Sequence, residues 1–353
     1  MSLATSALAS PFYIGTSTKT GEARGIYVCE LDEATGALGP VRLAAVANNP
    51  GFVAVSPDNR YVYAVSEDSP GAVGAYRRNS DGTLEFLNSR PSGGDGACHV
   101  SVSADGRHVF VANYGSGSAA CLPVNSGGSL DPASEVVAFT GSGPNAQRQQ
   151  KPRGHGIYST ADGRFVYVCD LGTDRVWSFE LKAGKLVPTS PEAGRTPPGA
   201  GPRHLALHPN GCFAYVTNEL DCTTTVFEIH SGILTPLETV ASSTGGLAPG
   251  STTSEIVCHP SGRFLYTSLR AHNAVAVYRI GGDGRLALLE TFPCGVKIPR
   301  GMGVDPSGRW LVVAGQDDSR LAVLAIDPES GRLTATPHSA GAPRPICIAF
   351  PGK

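Results

Sequence analysis

Apolar residues fall in short runs of five to eight, separated by polar turns, along the whole chain. Runs of that length bounded by Gly, Pro, Asp and Ser predict strands rather than helices. One cassette recurs: an apolar strand, a turn reading Pro/Ala-Asp/Ser-Gly/Asn-Arg, and a second apolar strand opening on an aromatic. It reads FVAVSPDNRYVYAV from Phe52, HVSVSADGRHVFVA from His99 and GIYSTADGRFVYVC from Gly156. It returns as HLALHPNGCFAYVT from His204, EIVCHPSGRFLYTS from Glu255 and GMGVDPSGRWLVVA from Gly301. The turn positions Arg60, Arg107, Arg164, Cys212, Arg263 and Arg309 are spaced by about 46 to 57 residues, the period of propeller blades. After each cassette a third apolar strand leads to a hairpin with Gly at its tip (SDGTL, SGGSL, KAGKL, HSGIL, GDGRL, ESGRL) and a fourth strand. Both ends of the chain extend the pattern. PICIAFPG near the C-terminus reads as a first strand, and FYIGTS with GIYVCELDEATGAL as a second and third. The expected fold is all-β: one seven-bladed β-propeller over residues 12–351, its last blade closed by strands from both termini, with residues 1–11 as a tail. Closure of this kind removes open sheet edges.

Composition agrees with a turn-rich β fold. The chain has 353 residues, 44 Gly and 27 Pro, with 16% charged residues and a formal net charge of −2. No basic stripe or long apolar run is present, so neither nucleic acid nor a membrane is an expected partner. The N-terminal segment lacks the charged start of a signal peptide. Nine scattered Cys without a Cys-x-x-Cys pair predict reduced thiols and a cytoplasmic location. Ring closure favours a monomer.

The six copies act as a ruler: residues shared by all serve the fold, and the odd charged residue in one copy marks function. Just before the first strand, counted back from the turn residue, the copies read Gly51-Phe52, Cys98-His99, His155-Gly156, Arg203-His204, Ser254-Glu255 and Arg300-Gly301. Just after the second they read Ser66-Glu67, Asn113-Tyr114, Asp170-Leu171, Asn218-Glu219, Leu269-Arg270 and Gly315-Gln316. A hairpin brings these ends together, so one mouth of the channel collects His, Arg and Glu in a chain otherwise poor in charge. Asp170, and in the same slot Asn113 and Asn218, also suit a purely local turn role. Two long segments, 137–154 and 241–254, lie at the same mouth, where binding loops are expected. The turn arginines at the opposite face repeat and are assigned to structure.

Several arginines at one mouth imply an anionic small molecule, because guanidinium binds carboxylate and phosphate in bidentate fashion. A His beside a Glu suits proton transfer near neutral pH. His99, His155 and His204 could in principle hold a metal, but the interspersed arginines argue against it, and no cofactor or metal motif is present. Expected substrate contacts, besides the central residues, are His99, Asn113, Tyr114, Arg153, His204, Glu255, Arg300 and Gln316.

Three stretches carry a resemblance: GPRHLALHPNG with VTNEL at 201–220, GHGIYSTADGRFVYVCDLGTDRV at 154–176 and PRGMGVDPSGRWLVVAGQ at 299–316. With these the chain resembles the seven-bladed propeller lactonase family, which includes bacterial 6-phosphogluconolactonases and a fungal carboxy-cis,cis-muconate cyclase. The likeness extends from Tyr13 to Phe350. It implies a catalytic set of one His, two Arg and one Glu, matching His155, Arg203, Arg270 and Glu219. One departure is Pro152-Arg153-Gly154-His155, where relatives often show Pro-His-x-His. The resemblance implies a metal-independent lactonase acting on a phosphorylated or acidic sugar lactone. Arg203 and Arg270 would bind the anion and steady the oxyanion, and His155 and Glu219 would share the acid and base work. The alternatives are a lactonizing cycloisomerase on a dicarboxylate and a non-catalytic interaction propeller.

Overall fold

In a computed structural model that describes residues 9–352, 28 strands run in chain order from β1 (Ala9–Thr16) to β28 (Pro345–Ala349). They form seven four-stranded antiparallel sheets. Six blades follow the six cassettes. The seventh has the order β28, β1, β2 (Gly25–Asp32), β3 (Arg42–Val46), so strands from the two ends pair, with Tyr13 opposite Ala349 and Ile14 opposite Ile348. β1 starts at Ala9, inside the segment expected to be a tail. The rest of that expected tail lies outside the described residues. Among the described residues there is no helix, hence none long and apolar enough to cross a membrane.

The core is divided. Seven apolar clusters lie between neighbouring blades, so each inner strand is buried on both faces. This is why the second strands read as unbroken apolar runs, such as residues 165–169, buried throughout. The repeated aromatic and the repeated Gly are two halves of one contact. Tyr61, which follows the turn Arg60, lies against the hairpin tip of the next blade. A Cβ on Gly128, where φ is +83°, would come within 2.1 Å of its ring. Gly331 meets Phe264 in the same way at 2.2 Å, with φ +74°. The second aromatic of the strand adds a hydrogen bond: Tyr63 Oη donates to the Gly128 carbonyl at 3.0 Å and Tyr266 Oη to that of Gly331 at 3.0 Å. Blade-to-blade adhesion is thus written into every cassette.

Candidate active site at the bulged mouth of the ring

The first strand of six blades breaks register at its opening residues; in β28 the skipped residue is the apolar Ile346. In β8 (Ala97–Val102), Ala97 and His99 pair with successive partners and Cys98 is skipped. In β16 (Pro202–Leu207) the skipped residue is Arg203, and in β24 (Pro299–Val304) it is Arg300. β12 (Gly154–Ser159) skips His155 and Gly156, and β20 (Thr252–Cys258) skips Ser254 and Glu255. A β-bulge frees a side chain from the alternation of the strand and re-aims it. Here that turns Cys98, His155, Arg203 and Arg300 onto one cavity of about 450 Å³, which Lys19, Glu67, Tyr114, Arg148, Glu219 and Arg270 also line.

Glu219 is the electrostatic centre. Its carboxylate lies 2.6 Å from Arg148 Nη2, 3.1 Å from Arg203 Nε and 3.0 Å from Arg270 Nη2. Burial alone would raise its carboxyl, but Arg270, Arg203 and Arg148 outweigh burial and hold it down to about 2. Glu219 therefore carries no proton to give near neutral pH, which removes the acid half of the role expected of it. Burial, with Arg203 and Arg300 nearby, lowers Arg270 to about 10 against the pull of Glu219. Arg203 also donates through Nη1 to the Ser254 carbonyl at 2.8 Å.

Behind Arg203 lies a buried imidazole layer. The ring of His204 is 5.1 Å from that of His155 and 5.0 Å from that of His99. His204 Nε2 is 3.2 Å from Arg203 Nη1, which can only donate, so the proton of the neutral ring sits on Nδ1 and is shared with Glu255 Oε1 at 2.8 Å. Burial pushes the Glu255 carboxyl up to about 7, against the lowering effect of Arg203. His155 is pushed well below the usual imidazole range by burial, then by Arg203 and His204, so it is a neutral imidazole at the cavity wall. His99 accepts the Ile157 N–H at Nδ1, at 3.2 Å. Among the described residues no group of three or more His, Cys, Asp or Glu converges to hold a metal.

Of the residues singled out in the sequence, His155, Arg203, Glu219, Arg270, Arg300 and Tyr114 meet at the cavity. Six others do not line it. His99, His204 and Glu255 stand one residue further along their strands and face the buried layer. Asn113 donates to the Ser92 carbonyl and Ser118 Oγ inside its own blade. Arg153 stacks on the Tyr114 ring at 5.1 Å, and Gln316 accepts from Arg300 at 3.3 Å. Asp170 accepts from the Arg153 and Gly172 N–H groups and from Thr173 and Trp177, the local turn role.

Two charged cavity residues escaped the ruler because they lie outside the cassettes. Lys19 follows β1, where nothing in the pattern marks it. Arg148 comes from the long 137–154 segment, whose length was the available signal. That segment is tied down by Gln149, which donates to the Leu171 carbonyl at 2.8 Å and to Asp174 at 2.7 Å. Arg148 thereby reaches Glu219 and, at 3.3 Å, the Tyr114 hydroxyl.

Fold and site together define a propeller enzyme class: the chain matches the family model "Lactonase, 7-bladed beta-propeller" over residues 11–350 and belongs to that family. It is 36% identical to a 6-phosphogluconolactonase of Bacillus subtilis over 344 residues, 96% of this chain and 97% of that one. It is 32% identical to a 6-phosphogluconolactonase of Serratia proteamaculans, covering 89% of this chain and 91% of the relative. The solved structure of a periplasmic gluconolactonase of Pseudomonas aeruginosa superposes with a TM-score of 0.92 at 30% identity, covering 97% of this chain and 99% of that one.

Proposed function

We propose that the protein hydrolyses an anionic sugar lactone, 6-phosphogluconolactone being the first candidate. The observation that carries this is the cavity itself. Four arginines and a lysine face two carboxylates there, and a neutral imidazole stands on the same wall. The excess positive charge suits a phosphate or carboxylate, for which Arg148, Arg300 and Lys19 are the peripheral cations. Arg203 and Arg270 are assigned to the lactone carbonyl, where charge develops when water adds. Neutral His155 is assigned to take the proton of that water. The bond between the carbonyl carbon and the ring oxygen then breaks, and the imidazolium returns the proton to the departing oxygen, leaving a hydroxy acid. Glu219 holds the guanidiniums in place and moves no proton. The nine unpaired cysteines support a reducing, cytoplasmic setting, and the closed ring supports a monomer.

The test is hydrolysis of fresh 6-phosphogluconolactone above the spontaneous rate, with His155→Ala alongside. Turnover lost in the variant supports the reading. No turnover by the wild type would sink it and move attention to dicarboxylate substrates and lactone closure.

A further inference from the structure

Two glutamates hold the same place in the repeat and have opposite surroundings. Glu67 and Glu219 each directly follow the second strand of their blade, β5 (Tyr61–Ser66) and β17 (Phe213–Asn218), and both line the cavity. Three guanidiniums hold Glu219. Among the described residues the Glu67 carboxylate makes no hydrogen bond and no ion pair; Arg300, Lys19 and Arg203 act on it only at longer range, with Asp68 and Cys98 the other titratable neighbours.

Room for it has been cleared. Where other blades place Cys98, His155, Arg203, Ser254 or Arg300, this blade has Gly51, and a Cβ there would come within 2.2 Å of Glu67 Oε1. The side chain thus lies across a vacated position, facing the cavity. Burial raises its carboxyl more than the surrounding cations lower it, consistent with a group lacking a partner. Glu67 is half-buried at the cavity wall, and its carboxylate has no partner among the described residues, so its partner is to be sought in the ligand. The guanidiniums take the anionic end of that ligand; what a carboxylate accepts from an anionic organic molecule is hydroxyl protons.

We propose that Glu67 is the hydroxyl-recognising residue of the site, accepting hydrogen bonds from vicinal hydroxyls of a polyhydroxylated acid whose anionic group rests on the arginines. The proposal deepens the sugar-lactone reading above and rests on it for the anion, yet the two can fail separately.

The experiment is calorimetric binding of 6-phosphogluconate and of hydroxyl-free 6-phosphonohexanoate to wild type, Glu67→Ala, Glu67→Gln and Gly51→Ala. Deleting a carboxylate beside Arg300 and Lys19 tightens both anions alike, so the readout is the ratio of the two affinities. Wild type should prefer the hydroxylated ligand about 10- to 100-fold. Glu67→Ala should erase that preference, Gly51→Ala should erode it by displacing the carboxylate, and Glu67→Gln should restore part of it. A wild type without preference, or a ratio unchanged in Glu67→Ala, overturns the proposal. A wild-type preference that Glu67→Ala abolishes, in a protein with no lactone turnover, would sink the lactonase reading and leave the Glu67 assignment standing.

Discussion

The two ends of the same hairpin have opposite characters. At the turn end the arrangement repeats: Ser56 Oγ donates to Asp58 at 2.6 Å, and Ser103 Oγ donates to Asp105 at 2.6 Å. In each the carboxylate also accepts the backbone N–H of the turn arginine, Arg60 or Arg107. At the open end the bulged position holds Cys98, His155, Arg203, Ser254 and Arg300 in successive blades. Repetition marks what every blade needs in order to fold. A bulge uncouples one residue from the ladder, so that residue can change without disturbing its neighbours. Symmetry is kept where it stabilises and abandoned at the mouth to which the chemistry is assigned.

The largest blow to this contrast would come from Arg203→Ala. With Arg203 on the developing oxyanion, kcat should fall about 10²- to 10³-fold, roughly 3–4 kcal/mol, in steady-state lactone hydrolysis. Wild-type kcat in that variant would strip the mouth of its assigned role. Arg148→Ala tests the loop: its loss should raise KM about tenfold and leave kcat within a few-fold, since it is assigned to ground-state anion binding.

Gly128→Ala addresses the adhesive contact, combining positive φ with a Cβ driven into Tyr61. Unfolding by urea should show a loss of about 1–3 kcal/mol with kcat intact. His99 sharpens the difference between mouth and buried layer. Burial, and then His204, hold it well below the ordinary imidazole value, so the fold keeps it neutral. Below about pH 6.5 the unfolded chain takes up a proton here that the folded chain refuses. Stability from this group is complete above that pH and lost as pH falls, by about 1.4 kcal/mol per unit. The stability difference between wild type and His99→Leu should therefore move against the wild type by roughly 1.6 kcal/mol between about pH 6.5 and 5. A pH-independent difference would mean that folded His99 takes up its proton as the unfolded chain does. Smallest of all, Arg107→Ala at the exposed turn end should change stability by under about 0.5 kcal/mol and turnover not at all.

The ring and its closure were legible because each blade is one hairpin motif whose turn, aromatic and Gly recur at a steady period. The charged cavity at one mouth was legible for the same reason, as the place where copies differ. Depth within that face was not. Arg203 and His204, or Cys98 and His99, are neighbours in sequence, and a single step along a strand turns a side chain to the other side. Without seeing the bulge, nothing tells which of each pair meets the cavity. Arg148 and Lys19 belong to segments outside the repeat, where no register relates position to direction. The fate of Glu219 was hidden too, since its three guanidinium partners come from the long loop and two blades.

Closing the ring with β28 against β1 has a consequence for how the molecule is made. β1 to β3 precede every other described strand in chain order, yet β28, the second partner of β1, follows them all. Until β28 has been made, β1 keeps an unpaired edge, and the cationic cavity, which takes Lys19 from beside β1 and Arg300 from β24, waits for the two sides of the ring to meet. A cavity complete in its charges therefore reports that the ring has been joined.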